Sequence, residues 1–108
     1  MINEDKIRET FAVNPEKGFG MLMEAFQQPV YWHIRRMVVS HDDAEDVLQE
    51  TFIRIFRYLD DFRAESTLST WIYRIATNEC IRFLNNRKEQ TLSTEEVQEE
   101  LMGKLMAS

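Results

Sequence analysis

The sequence predicts an all-α domain, a compact bundle of about four helices with a possible further C-terminal one. Three observations carry this. The chain has 108 residues with 44% hydrophobic side chains, enough for one small core and too little for two. It holds only 3 glycines and 2 prolines, too few for a turn-rich β fold. Its apolar residues recur three and four apart over long stretches, the period of a helix face. One cysteine, Cys80, excludes an internal disulfide and a cysteine-built zinc site, and two histidines make a poor metal centre. No apolar run approaches the roughly 20 residues of a membrane helix, and no basic-then-apolar leader opens the chain. The expectation is a cytoplasmic domain with no cofactor, no metal and no membrane insertion.

The first helix is expected from Asn3 to about Phe11, with Ile7 and Phe11 as its apolar pair. Asn14 followed by Pro15 is a start signal: asparagine caps, and proline fits the first helical turn. The second helix then runs through Phe19, Leu22, Met23, Phe26, Val30, Ile34 and Met37. Pro29 lies inside it and is expected to kink or break it, because it removes a backbone donor. Ser40 with Asp43 resembles a capping box and opens a third helix from about Asp42 to Leu59. A loop from Asp60 to about Thr67 precedes a fourth helix from near Thr67 to about Arg87. The domain is expected to occupy residues 1–90, and residues 91–108 to begin a linker, with 95–106 either an amphipathic helix or disordered.

The third helix has two faces. Leu48, Phe52, Ile55, Phe56 and Leu59 share the expected core stripe. The opposite face collects Asp42, Asp46, Gln49, Glu50, Ile53 and Arg57. The plainer reading is a solvated polar face with one stray apolar residue. The sharper one is a partner patch, because an apolar centre inside a polar rim is how interfaces are built. Its acidic groups favour a basic partner.

The fourth helix has a core stripe of Leu68, Ile72, Ile75, Ala76, Glu79 and Phe83, in which Glu79 must snorkel or find a partner. Beside it lie Trp71, Arg74, Asn78, Arg82 and Asn85. Arginine suits phosphate, tryptophan stacks on any base, and asparagine pairs with a base edge. The plainer reading makes Trp71 a core residue and the others a solvated face. Phe62 and Arg63 add a second aromatic–cation grouping in the preceding loop. Two such groupings around one loop fit single-stranded nucleic acid better than duplex, since bases must be unstacked to meet them.

The net charge is −6, unevenly spread: −5 over residues 1–62, +3 over 63–88 and −4 over 89–108. An acidic chain is a poor autonomous DNA binder, because phosphate contacts supply most of the affinity. A basic segment inside it implies a local anionic surface reached with help from a partner.

The stretch Asp43-Ala44-Glu45-Asp46-Val47-Leu48-Gln49-Glu50-Thr51-Phe52, then Leu59-Asp60-Asp61-Phe62-Arg63, then Ser69-Thr70-Trp71-Ile72-Tyr73-Arg74-Ile75-Ala76-Thr77-Asn78, resembles region 2 of bacterial RNA polymerase sigma factors of the extracytoplasmic-function (ECF) group. The resemblance covers roughly residues 15–90, and the pairing of the two longer motifs is specific. It implies that Asp46, Gln49 and Glu50 dock on the β′ clamp helices of core RNA polymerase, and Ile53, on the same helix face, is expected to join them. It further implies that the following segment melts the promoter −10 element and holds its non-template strand. Asp61, Phe62 and Arg63 on the loop and Asn78 on the helix then match the pocket for a flipped base. Trp71, Tyr73 and Arg74 match the neighbouring strand-contacting segment, and Arg82 continues their face.

ECF sigma factors normally continue into a second helical domain, region 4, so a piece of a longer protein is expected. Glu79 and Cys80 stand where apolar or small residues are expected. No nucleophile–base pair, phosphate loop or metal spacing is present, so a non-enzymatic binding role is expected. The alternative is a helical protein–protein module whose main partner is an anti-sigma factor or other regulator, without direct DNA binding.

Overall fold

The computed structural model describes residues 3–62 and 66–107, with the side chains of 89–101 and 104–107 outside the description. Four helices follow in order: α1 (Glu4–Val13), α2 (Pro15–Arg35), α3 (His41–Tyr58) and α4 (Leu68–Ala107), with a 3₁₀ turn at Leu59–Asp61. No strand occurs among the described residues, in agreement with the all-α expectation.

The helix starts follow local chemistry. Asn3 Oδ1 accepts from the Lys6 amide at 3.1 Å, Asn14 Oδ1 from Lys17 at 3.3 Å, and Ser40 Oγ from Asp43 at 3.0 Å. Each satisfies one amide that the first helical turn leaves without a partner. Thr67 Oγ1 does the same for Thr70 at 3.1 Å, so α4 begins at Leu68.

α2 is the spine. Gly18, Leu22, Phe26, Val30 and Ile34, each four apart, are all buried. α1 crosses at Gly18, and α3 and α4 close over the rest, contributing Val47, Leu48, Phe52, Ile55, Leu68, Ile72 and Ala76 to one core. Pro29 does not break α2, which runs unbroken through it. Pro29 is exposed, so the lost hydrogen bond lies on the solvent side of the helix, where water substitutes for the missing donor.

Two further expectations are corrected. Phe56 is 47% exposed rather than core. It lies about 100° round the helix from Ile55, at the edge of the buried arc, and its ring meets Phe19 edge-on at 5.0 Å. α4 does not end near Arg87 but continues to Ala107. No Gly or Pro interrupts residues 68–102, and a helix already anchored by packing extends without a new nucleation step.

Gly18 and Gly20 make opposite predictions. A Cβ on Gly18 would strike the Phe11 backbone, whereas one on Gly20 would meet nothing within 4 Å. Gly20→Ala should stabilise the domain by about 0.5–1 kcal/mol through helix propensity. Gly18→Ala should destabilise it by about 1–3 kcal/mol, since α1 must move off α2. Urea denaturation of the two variants checks the signs.

Candidate nucleic-acid and partner interfaces

The two faces of α3 become two grooves. On one side, α2 and α3 enclose an open apolar cleft of about 580 Å³. Asp46, Gln49 and Ile53 line it from α3, together with Phe56 and Arg57, and Phe19 and Met23 line it from α2. Ile53 is 39% exposed, so an apolar centre does sit within the acidic rim. Phe19, Met23 and Phe56 were not legible as members of this patch, because the pattern of each helix alone places them in its core.

On the other side, Asp46, Glu50 and Arg54 of α3 face Glu79, Arg82 and Phe83 of α4. Glu79 is only 6% exposed, and its carboxylate forms an ion pair with the Arg54 guanidinium. Arg82 reaches the same carboxylate at 3.7 Å. Glu79 therefore finds its partner across the helix interface, which its own helix pattern did not identify. Arg87 joins Asp43 at 2.5 Å and ties α4 to the start of α3.

The aromatic–cation cluster lies where α4 begins. Phe62 leaves the 3₁₀ turn and stacks at a tilt of 43° on Trp71, with ring centroids 5.2 Å apart. The Arg8 guanidinium stands 5.8 Å over the Phe62 ring. Glu4 Oε1 accepts from the Ser69 amide at 2.9 Å, placing a carboxylate on the positive end of α4. α1 thus buttresses both the loop and the helix that it precedes. This role has no sequence signal, because Glu4 and Ser69 are 65 residues apart.

Asp61, Arg74 and Asn78 are exposed, and Trp71 is half-buried. Arg63 lies outside the described residues. Tyr73 turns from this cluster towards α2, its ring 5.1 Å from that of His33. Arg82 is roughly 16 Å further along α4 than Trp71, beside the α3 groove. The structure therefore brings together Phe62 and Trp71, sets Arg74 and Asn78 on the exposed side of the same helix, and places Tyr73 and Arg82 elsewhere. Among the described residues no group of three or more His, Cys, Asp or Glu side chains has the arrangement of a metal site. Nor is any helix there long and apolar enough to cross a membrane.

Burial, and then the neighbouring Glu79 charge, push the Cys80 thiol above its ordinary value of 9.0. The unfolded thiol therefore loses its proton first as pH rises. This group leaves stability unchanged well below pH 9.0 and lowers it above, where only the unfolded form ionises. Alkylation of Cys80 at pH 8 should be at least about a thousandfold slower in the folded protein than in urea, because reaction waits on unfolding. Mass spectrometry of iodoacetamide-treated protein measures the ratio.

The model of the Sigma-70 region 2 family matches residues 22–90. The ECF RNA polymerase sigma factor SigG of Mycobacterium tuberculosis is 38% identical over 76 residues, 70% of this chain and 20% of that protein. The ECF RNA polymerase sigma-E factor of Escherichia coli K12 is 42% identical over 69 residues, 64% of this chain and 36% of that protein. The chain thus spans well under half the length of these relatives. Among solved structures, an engineered region 2 of sigmaE in complex with GTAAAA superposes with a TM-score of 0.74 at 33% identity, covering 82% of this chain and 92% of that one.

Proposed function

This chain belongs to the Sigma-70 region 2 family, and from that premise we propose that it recognises the promoter −10 element as single-stranded DNA while docked on core RNA polymerase. The observation that carries the proposal is the Phe62–Trp71 pair at the head of α4, flanked by Arg8 and by the exposed Arg74 and Asn78. Aromatic faces beside cations suit unstacked bases on a phosphate backbone. The solved relative of the same fold is itself in complex with GTAAAA.

The domain acts by binding, not by catalysis. Capture of an unstacked non-template base by the loop at Asp61–Arg63 and by Asn78 offsets the few kcal/mol, roughly, of unpairing it. The groove at Asp46, Gln49 and Ile53, with Glu50 on the next face, receives the β′ clamp helices. An acidic rim there attracts a basic partner and repels DNA. Residues 1–90 form this unit. A second reading, an anti-sigma factor as the occupant of the α2–α3 cleft, draws on the exposed Phe56 and Ile53, which suit an amphipathic helix laid into a groove.

Titration of the chain against a panel of single-stranded hexamers, with and without a β′ clamp-helix peptide, tests the reading. Sequence-dependent binding that the peptide strengthens supports it. Failure to bind any hexamer at low salt removes it and leaves the purely protein-binding alternative.

Two substitutions separate the faces. Glu50→Lys should abolish clamp-helix binding without unfolding the chain, since like-charge juxtaposition costs several kcal/mol, on the order of 3. Pull-down of β′ fragments by the folded variant reads this. Asn78→Ala should lose about 1–3 kcal/mol for the preferred base at one position and little for the others, because an amide reads base edges and carries no charge. Arg74→Ala should weaken all sequences alike and flatten the salt dependence. Titrations at two salt concentrations distinguish these patterns.

A further inference from the structure

Beyond the α4 face, α2 ends in a second aromatic–cation surface. Pro29, Trp32, His33 and Arg36 of α2 and Tyr73 of α4 enclose an open recess of about 350 Å³. Trp32 is 61% exposed, its ring meeting Tyr31 edge-on at 5.2 Å. Arg35 and Arg36 suit the negative end of α2 whatever else they do. The helix dipole does not account for an indole left in water beside them.

The charge pattern gives this surface a sign. Residues 25–41 contain no acidic side chain in a chain that has 19, and residues 67–78 of α4 contain none either. The two stretches are held together. His33 Nε2 lies 2.8 Å from Thr77 Oγ1, and its ring meets Tyr73 edge-on at 64°. Around α4, Trp71, Asn78, Arg74, Thr77 and Tyr73 follow one another at steps of 20–60° on an ideal helix, so this helix offers no acidic side chain of its own between Trp71 and the α2 recess.

We infer that Trp32 and Arg36 extend the single-strand track, taking a nucleotide that flanks the −10 hexamer: the indole stacks on its base and the guanidinium meets its phosphate. This rests on the reading of α4 as the −10 interface. It adds a contact on a different helix, made by an exposed tryptophan and a cation with no acidic neighbour in sequence. Flanking duplex does not fit, since a stacked base offers Trp32 no face.

Fluorescence anisotropy on the 108-residue chain tests it. The probes are the tightest-bound single-stranded hexamer of the panel, the same hexamer extended by four thymidines at its 5′ or 3′ end, and each extension annealed to its complement. Extension at one end, as single strand, should tighten binding roughly tenfold. Trp32→Ala and Arg36→Gln should each remove most of that gain and leave hexamer affinity within about twofold of the parent. Both residues are exposed, so the variants keep the fold, and circular dichroism verifies this. Equal binding of hexamer and extended strands, a gain only from duplex extensions, or a gain untouched by both substitutions overturns the inference while the −10 reading stands. Absence of hexamer binding by the parent chain overturns both.

Discussion

A carboxylate inside an apolar stripe is the constraint around which this fold is arranged. Glu79 lies on the same side of α4 as Leu68, Ile72 and Ala76, which are fully buried. Left alone, that charge would destabilise the domain by several kcal/mol, about 3–5. Arg54 answers it from α3, and Arg82 adds a weaker contact from α4 itself. α3 and α4 are therefore held in the one register that puts Arg54 opposite Glu79. Hydrophobic burial alone tolerates sliding; an ion pair between two helices does not. The pair contributes specificity of arrangement more than net stability, since an apolar pair of similar size packs as well.

From that register the division of labour follows. α3 turns its acidic side outwards, with the apolar cleft against α2 on one flank and the Arg54–Glu79 groove on the other. α4 turns Arg74 and Asn78 outwards where its first turns emerge from the loop. α1, short and polar, is the brace: Glu4 on the Ser69 amide and Arg8 over Phe62 fix the head of α4 and the loop aromatic together. The unequal charge of the segments then has a structural meaning. Acidic side chains crowd the face proposed for the polymerase, whereas residues 67–78, which begin the face proposed for DNA, carry none of their own, so the two faces favour partners of opposite charge.

Much of this was legible in the sequence, and the reasons for the rest are physical. Asn14–Pro15 and Ser40 mark helix starts through local hydrogen bonds, which sequence neighbours determine. The phases of α2 and α3 follow from apolar spacing, and Ile53 stood out on the acidic face for the same reason. Phe56 was misread because an edge position of a helix is decided by what packs there; here it is Phe19, 37 residues earlier, at 5.0 Å. The partner of Glu79, the brace by α1 and the turn of Tyr73 onto His33 all depend on contacts between distant segments. The continuation of α4 past Arg87 was not legible because the Thr and Ser there lower helix propensity, a weak prior that is overridden when an anchored helix runs into them.

The central claim is that the head of α4, and not the acidic face of α3, takes single-stranded DNA. Amide and aromatic chemical shifts, followed while the chain is saturated with a −10-like single strand, address it directly. The account predicts that the largest changes fall on Phe62, Trp71, Arg74 and Asn78, with Asp46, Gln49 and Ile53 silent. Changes concentrated on Asp46, Gln49 and Ile53, with Phe62 and Trp71 unmoved, would contradict it.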